Sequence, residues 1–105
     1  MRTFRDQANS EIKLSESVFF GHILEDHSEH YILISNTLGG NVDFEAFYLD
    51  GITKVPSNPI ETRTRDNRVR YYGWIRSVNK YMVVAVKFLP DEAWVSTAFL
   101  SSRMR

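Results

Sequence analysis

The sequence lacks cysteine, a long apolar run, an internal repeat and a low-complexity tract, and each absence excludes a class of protein. Without cysteine the chain can form neither a disulfide framework nor a thiolate metal site. No apolar stretch approaches the ~18 residues of a membrane-spanning helix, and the first ten residues have no apolar core like that of a signal peptide. We therefore expect a cytoplasmic protein that does not associate with membranes.

The composition is typical of a folded domain. The chain has 105 residues, of which 43% are hydrophobic and 13% aromatic. That length and composition support one modest hydrophobic core. We therefore expect residues 1–105 to form a single globular domain.

Charge is unevenly distributed along the chain, although the net charge is zero. Residues 1–53 hold three basic and nine acidic residues, a balance of −6, whereas residues 54–105 hold ten basic and four acidic residues, a balance of +6. Such asymmetry favours a molecule with one basic surface. The alternative is that the two halves neutralise each other across the fold.

The most informative segment is the arginine-rich run E-T-R-T-R-D-N-R-V-R-Y-Y at 61–72. Two arginines lie on either side of an Asp66-Asn67 turn signal, spaced two residues apart: Arg63, Arg65, Arg68 and Arg70. Residues two apart in a strand point to the same face, so a hairpin here gathers guanidinium groups, which are suited to phosphate. The alternative is a solvated edge hairpin that its charge keeps soluble.

The second half of the chain is rich in predicted strands, which we place at 60–65, 68–76, 81–88 and 93–100. The linkers between them are short enough for antiparallel hairpins. Upstream, Ser15 or Ser17 can cap a helix over 16–27, and a second short helix is expected over 43–49.

Three further segments complete the prediction. A short strand is expected over 11–14, a loop over 55–59, and either a helical turn or a buried strand over 28–38. The predicted fold class is α+β, with N-terminal helices packed on one face of an antiparallel sheet of four or more strands.

Two pairings are expected to set the register of the sheet: Arg76 with Tyr81, and Phe88 with Ala93. The first pairing places Arg70 opposite Lys87, and like charges in that position destabilise a sheet by ~0.2–1 kcal/mol. Such a cost hints at an anionic ligand.

The same register divides the strand residues between two sides of the sheet. The polar side carries Arg68, Arg70, Tyr72, Lys87 and Ser96. The other side carries the predicted core: Val69, Ile75, Met82, Val84, Val86, Phe88, Val95 and Phe99. A β-bulge would bring Thr97 to the polar side instead of Ser96.

Three histidines, His22, His27 and His30, fall within nine residues. Their spacing does not favour zinc, because there are no thiols and His22 and His27 do not share one helix face. Proton transfer suits imidazole better, since it titrates near neutrality. The alternative is that each is a surface or capping residue.

A metal-free ribonuclease requires a base, an acid and cations that stabilise a charged phosphorane. The histidines and basic strand residues of this chain are suited to these roles. Histidine offers the base and the acid, and Arg68, Arg70 and Lys87 suit the cations. Hydrogen bonds can come from Ser96, Thr97 or Tyr72, and bases can stack on Tyr72 or Trp74. We expect no metal ion and no cofactor, because the sequence has no Walker loop and no D-x-D-type acid cluster.

Taken together, these motifs resemble the phage-encoded branch of the barnase–EndoU–colicin–RelE superfamily of nucleases. The resemblance covers residues 12–100 and consists of short, degenerate motifs in the right order. They are H-I-L-E-D-H-S-E-H at 22–30, the proline and isoleucine motif formed by Pro56, Pro59 and Ile60, R-x-R-Y-Y-x-x-I at 68–75, Y-M-V-V-A-V-K at 81–87 and V-S-T-A-F at 95–99.

The resemblance implies a RelE- or barnase-like sheet, with helices on one side and the active face on the other. It implies metal-independent cleavage of RNA, with tRNA as a candidate substrate, by a toxin that is paired with a neutralising antitoxin or immunity protein. By position, His22 and His27 match the helical histidines, Arg70 and Lys87 the basic strand positions, and Ser96 or Thr97 the last-strand hydroxyl. Arg63, Arg65, Arg68 and Tyr72 are expected to bind the substrate.

The acidic first half departs from the family pattern and leaves two other hypotheses open. One is a non-catalytic module that binds nucleic acid or regulates through the same basic face. The other is an immunity or adaptor protein whose two charged halves contact a protein partner.

Overall fold

The computed structural model describes residues 2–24 and 43–104, and within them it shows an α+β fold with a six-stranded mixed sheet. The strands are β1 Arg2–Arg5, β2 Glu11–Leu14, β3 Glu61–Arg65, β4 Arg68–Ile75, β5 Lys80–Phe88 and β6 Ala93–Ser101. The helices are α1 Glu16–Val18, which continues as a π-helical segment at Phe19–Leu24, and α2 Phe44–Ser57. Strand order is β1-β2-β6-β5-β4-β3.

The α+β prediction is confirmed, and the four strands of the second half lie within one residue of their predicted bounds. The expectation of a purely antiparallel sheet is wrong, because β2 pairs with β6 in parallel. Strand β1 was not predicted, since R-T-F-R has a single apolar residue and therefore shows no alternating pattern.

The first helix begins where the sequence places it. Ser15 is the cap, and its hydroxyl accepts the backbone N–H of Val18 at 3.2 Å. The predicted continuation to residue 27, the ambiguous segment 28–38, and with them His27 and His30, lie outside the described residues.

The second helix is longer than predicted, so the expected loop over 55–59 is wrong for Val55–Ser57. Pro56 lacks a backbone donor and is normally unfavourable inside a helix. Here it is almost fully buried, and its carbonyl accepts the backbone N–H of Gln7 at 2.9 Å. Tertiary packing thus overrides the local turn signal.

The core is one cluster that joins both helices to the sheet. Its helical members include Phe19, Ile23, Tyr48, Ile52 and Val55. Helix α2 crosses β4 so closely that a Cβ on Gly73 would lie 2.6 Å from a methyl carbon of Val55. That contact fixes the helix over the middle of the sheet.

The β1–β2 hairpin is tied to this core through Asp6. One oxygen of its carboxylate accepts the hydroxyl of Tyr71 at 2.7 Å, and the other accepts the backbone N–H groups of Ala8 and Ser10 at 3.0 and 2.8 Å. Burial, assisted by the hydrogen bond to Asp6, raises the pKa of Tyr71 well above its ordinary value.

The register is correct for β5–β6, where Phe88 pairs with Ala93, and wrong for β4–β5. Ile75 pairs with Lys80, so Arg76 does not pair with Tyr81. The predicted register of β4 against β5 is therefore shifted by two residues from the observed one. Because a two-residue shift keeps each side chain on its side of the sheet, the residues predicted for the polar side of β4 and β5 do lie on one side.

A β-bulge interrupts the β5–β6 pairing between Ala85 and Val86, and it places Thr97 rather than Ser96 opposite Ala85. The bulge also moves Phe99 opposite Val83, away from the core side on which it was predicted. One extra residue is enough for this change, because the side-chain period of a strand is two.

Candidate functional site

The side of the sheet opposite the core cluster carries a concentration of basic side chains, which we call the cationic face. Tyr71 and Val84 point into the core, so their strand neighbours point to the other side. The basic members of this face are Arg63, Arg65, Arg68, Arg70 and Lys87. The predicted gathering of arginines by the 61–72 hairpin is therefore present.

Three of these residues form a row across neighbouring strands, which we call the cation triad. Arg65 lies opposite Arg68, and Arg68 lies opposite Lys87. All three are exposed, and within residues 2–24 and 43–104 their side chains make no hydrogen bond or ion pair. Adjacent strands are ~4.8 Å apart, so the row is roughly 10 Å long.

The hairpin turn holds the triad in place. Asp66 adopts a left-handed backbone with φ of 57°, which Asp tolerates better than most residues. The carbonyl of the next residue, Asn67, accepts the backbone N–H of Phe88 at 2.7 Å. The turn between Arg65 and Arg68 is thereby bonded directly to the strand end that carries Lys87.

Beyond Lys87 the row continues through Trp94 to Lys13, but there the charge is neutralised. Lys13 Nζ lies 3.2 Å from the carboxylate of Glu92 and 5.5 Å from the centre of the Trp94 ring. Hydrogen bonds from Trp94 and then Lys13 lower the pKa of Glu92. The unpaired positive charge of this row is therefore concentrated on the triad, and sequence reasoning gave no sign of this boundary.

The next row along the strands contains Arg63, Arg70, Ala85 and Thr97. Arg63 is largely engaged within the protein. Its Nε donates to the carboxylate of Glu61, its Nη1 donates to the carbonyl of Met104 at 3.2 Å, and its guanidinium carbon lies 4.9 Å from the Tyr72 ring centre. The bond with Glu61 raises the pKa of Arg63.

Tyr72 lies on the cationic face as predicted but is fully buried beneath Arg63. Its ring is therefore not presented to a ligand in this conformation. Of the predicted substrate-binding residues, Arg65 and Arg68 have exposed and unpaired side chains in the described part of the chain, whereas Arg63 and Tyr72 pack against each other.

The two candidate hydroxyl groups have different surroundings. Ser96 lies at the bulge, and its hydroxyl donates to the carbonyl of Ala85 at 3.1 Å. Thr97 is half-buried and pairs with Ala85, which in turn pairs with Arg70. The register therefore places Thr97 in the row of Arg70, and it commits the Ser96 hydroxyl to a structural hydrogen bond.

His22 is exposed in the π-helical segment. That segment packs through Phe19 and Ile23 into the core cluster, on the side of the sheet opposite the cations. The structure thus brings Arg68, Arg70, Lys87 and Thr97 together on one face and leaves His22 away from them. Among the residues described, no group of three or more histidines or carboxylates could hold a metal ion.

No protein family, curated protein or solved structure matches this chain. In the described part of the chain, no helix has the length and apolar character needed to cross a membrane. The proposed function therefore rests on the geometry and charge of the cationic face.

Proposed function

We propose that the protein binds RNA on its cationic face and that the cation triad holds backbone phosphate. The observation that carries this proposal is the row of three directly opposed cations. Their side chains have no hydrogen-bond or ion-pair partner in the part of the chain that the structure describes. Arg65 and Arg68 offer planar guanidinium forks, which match phosphate oxygens in pairs, and Lys87 adds a compact charge. Phosphate bound there relieves the repulsion among the three groups.

A finer proposal is that the domain is RelE- or barnase-like and acts in a cytoplasm. Buried residues from both helical segments join one core cluster on the far side of the sheet from the triad. The nuclease superfamily that the sequence motifs resemble is expected to have helices on one side of its sheet and the ligand on the other side.

RNA cleavage by 2′-OH attack is a second candidate function for the same face. The observation that favours it is the row of Arg70 and Thr97 directly beside the pair of Arg68 and Lys87. A phosphate held by the triad has a third guanidinium, that of Arg70, and the hydroxyl of Thr97 close by. In this proposal His27 supplies the imidazole, and a neutralising protein partner covers the cationic face.

Binding is tested by fluorescence anisotropy with labelled tRNA over a series of salt concentrations. The variant R68Q/K87Q removes two triad charges, and R2Q/K54Q removes two exposed charges from β1 and α2. We expect the first variant to bind more weakly and to lower the salt slope by ~1.4–1.8, because each phosphate contact contributes about 0.7 in a single strand and about 0.9 in a duplex. Equal binding by the two variants would overturn the proposal.

Cleavage is tested by incubating the protein with total tRNA in EDTA. The second candidate predicts fragments that end in a cyclic phosphate, loss of cleavage in His27→Gln and retention in His22→Gln. RNA that remains bound but intact would remove the catalytic candidate and leave the binding function in place.

A further inference from the structure

An aromatic pair, formed by an exposed tryptophan and a half-buried tyrosine, lies on the cationic face at the end of the sheet away from the triad. Trp74 on β4 pairs with Tyr81 on β5, and their rings meet edge to face with centres 4.8 Å apart. Trp74 is 43% exposed. Because Tyr81 holds the indole by its edge contact, Trp74 has a fixed orientation on the surface.

Two arginines belong to the same end of the sheet as this aromatic pair. Arg76 follows Trp74 by two residues, and Arg103 is held nearby, since its backbone N–H bonds to the hydroxyl of Ser101, the strand partner of Tyr81. In the described part of the chain, neither arginine side chain makes a hydrogen bond or an ion pair. An exposed indole at the same end of the sheet as these two arginines matches a nucleotide, which joins a base to a phosphate.

The distance between the two ends of the face defines the ligand further. Arg68 and Trp74 lie on one strand and on one side of it, six residues apart, which corresponds to about 20 Å. That distance suits a bound segment of about four nucleotides, the lower end of the range for single-strand sites. Between the two ends lie Arg70 and the guanidinium of Arg63, which covers the Tyr72 ring and is partly neutralised by Glu61.

A duplex does not use this arrangement. Its bases are stacked on each other and offer no free ring face to an exposed indole. Duplex RNA is recognised through its shape, its phosphates and its 2′-hydroxyls. An unstacked base, by contrast, gains ~1–3 kcal/mol from an aromatic side chain.

We propose that the cationic face binds single-stranded RNA in preference to duplex RNA, with one unpaired base stacked on Trp74 and the backbone running to the cation triad. The proposal rests on the proposed RNA-binding function and names the form of RNA that the site accepts. It also assigns Trp74 a role in binding.

The test compares an unstructured RNA octamer with a perfect RNA duplex by fluorescence anisotropy. We expect the octamer to bind more tightly and Trp74→Leu to weaken its binding about 5- to 150-fold, with Trp74→Phe retaining most of the affinity. Phe20→Leu is the matched control, because Phe20 is 49% exposed, also has an edge contact to a neighbouring ring and lies in the helical part of the chain. Quenching of the Trp74 fluorescence in a Trp94→Phe background reports stacking independently.

The outcomes separate the two proposals. If neither RNA binds, the RNA-binding function itself fails. A second outcome is that both RNAs bind equally, that R68Q/K87Q weakens the binding of both, and that Trp74→Leu weakens the binding of neither. In that case the RNA-binding function stands and the single-strand inference is overturned. Circular dichroism of the variants shows whether each is folded, and the Phe variant keeps the comparison valid if the Leu variant is not.

Discussion

Arg68 and Lys87 lie directly opposite each other on β4 and β5, both exposed and neither paired with a carboxylate in the described part of the chain. Removing one of the two charges relieves their repulsion in the unliganded protein. We expect Arg68→Gln to raise the free energy of unfolding by ~0.2–1 kcal/mol. Urea denaturation at low ionic strength measures this gain.

Salt provides the control for this prediction. Because the two groups are exposed, salt screens their repulsion, and the gain should shrink at high ionic strength. Lys54→Gln, which removes a charge paired with Asp50, should give no gain. A variant at Arg68 that is less stable than the wild type at every salt concentration would contradict the prediction.

Tyr71 should make the stability of the protein depend on alkaline pH. Its pKa is raised by burial and by its bond to Asp6, so the folded state retains the phenolic proton above pH ~10, where the unfolded chain loses it. Stability is therefore fully present below pH ~10 and falls as the pH rises, by at most about 1.4 kcal/mol per pH unit from this residue.

Tyr71→Phe tests this linkage. The variant should lose ~1.5–3 kcal/mol at neutral pH, because a hydrogen bond to a charged acceptor is removed. Its stability should also decline less steeply above pH 10. Parallel stability curves for the two proteins between pH 9 and 11 would show that Tyr71 does not carry the effect.

Gly73 allows α2 to approach the sheet. Gly73→Ala places a methyl group against the branched side chain of Val55, and we expect a loss of ~1–3 kcal/mol from overpacking. Val55→Ala in the same chain should recover part of that loss, so that the double variant is more stable than the sum of the single changes predicts. Strict additivity in chemical denaturation would refute a direct clash.

If the protein cleaves RNA, Thr97 should contribute to the cleavage rate, whereas Ser96 should contribute to the stability of the fold. Thr97→Val keeps the shape of the side chain and removes the hydroxyl beside Arg70, so we expect the cleavage rate to fall about 10²-fold. Ser96→Ala should instead cost ~0.5–1.5 kcal/mol of stability through its bond to Ala85 and leave the rate unchanged. Single-turnover kinetics and denaturation measure the two effects separately.

The strands of the second half could be predicted from the sequence because alternation and short turn signals are local. The two-residue error in the β4–β5 register arises from the exact position of a four-residue turn, which here is centred one residue earlier and has Asn79 in a left-handed conformation. The length of α2 could not be predicted, since it depends on how Pro56 packs against the β1–β2 hairpin.

The candidate site was predictable in composition but not in arrangement. The arginine spacing indicates a shared face, whereas the row from Arg65 to Lys87 depends on the register. The neutralisation of Lys13 by Glu92 joins residues that are 79 positions apart, and no local pattern signals it. His22 was grouped with the cations by resemblance, whereas its position follows from how Phe19 and Ile23 pack.

The parallel contact of β2 with β6 has a consequence for biosynthesis. The β1–β2 hairpin leaves the ribosome before the other described strands of this sheet, yet it docks beside β6, which emerges after the rest of them. Until then, Ile12 and Leu14 lack the part of the core that β6 contributes, and the closure of so long a loop is slow. Nascent chains should therefore complete this edge late, and chaperones that protect short apolar segments should contact it during translation.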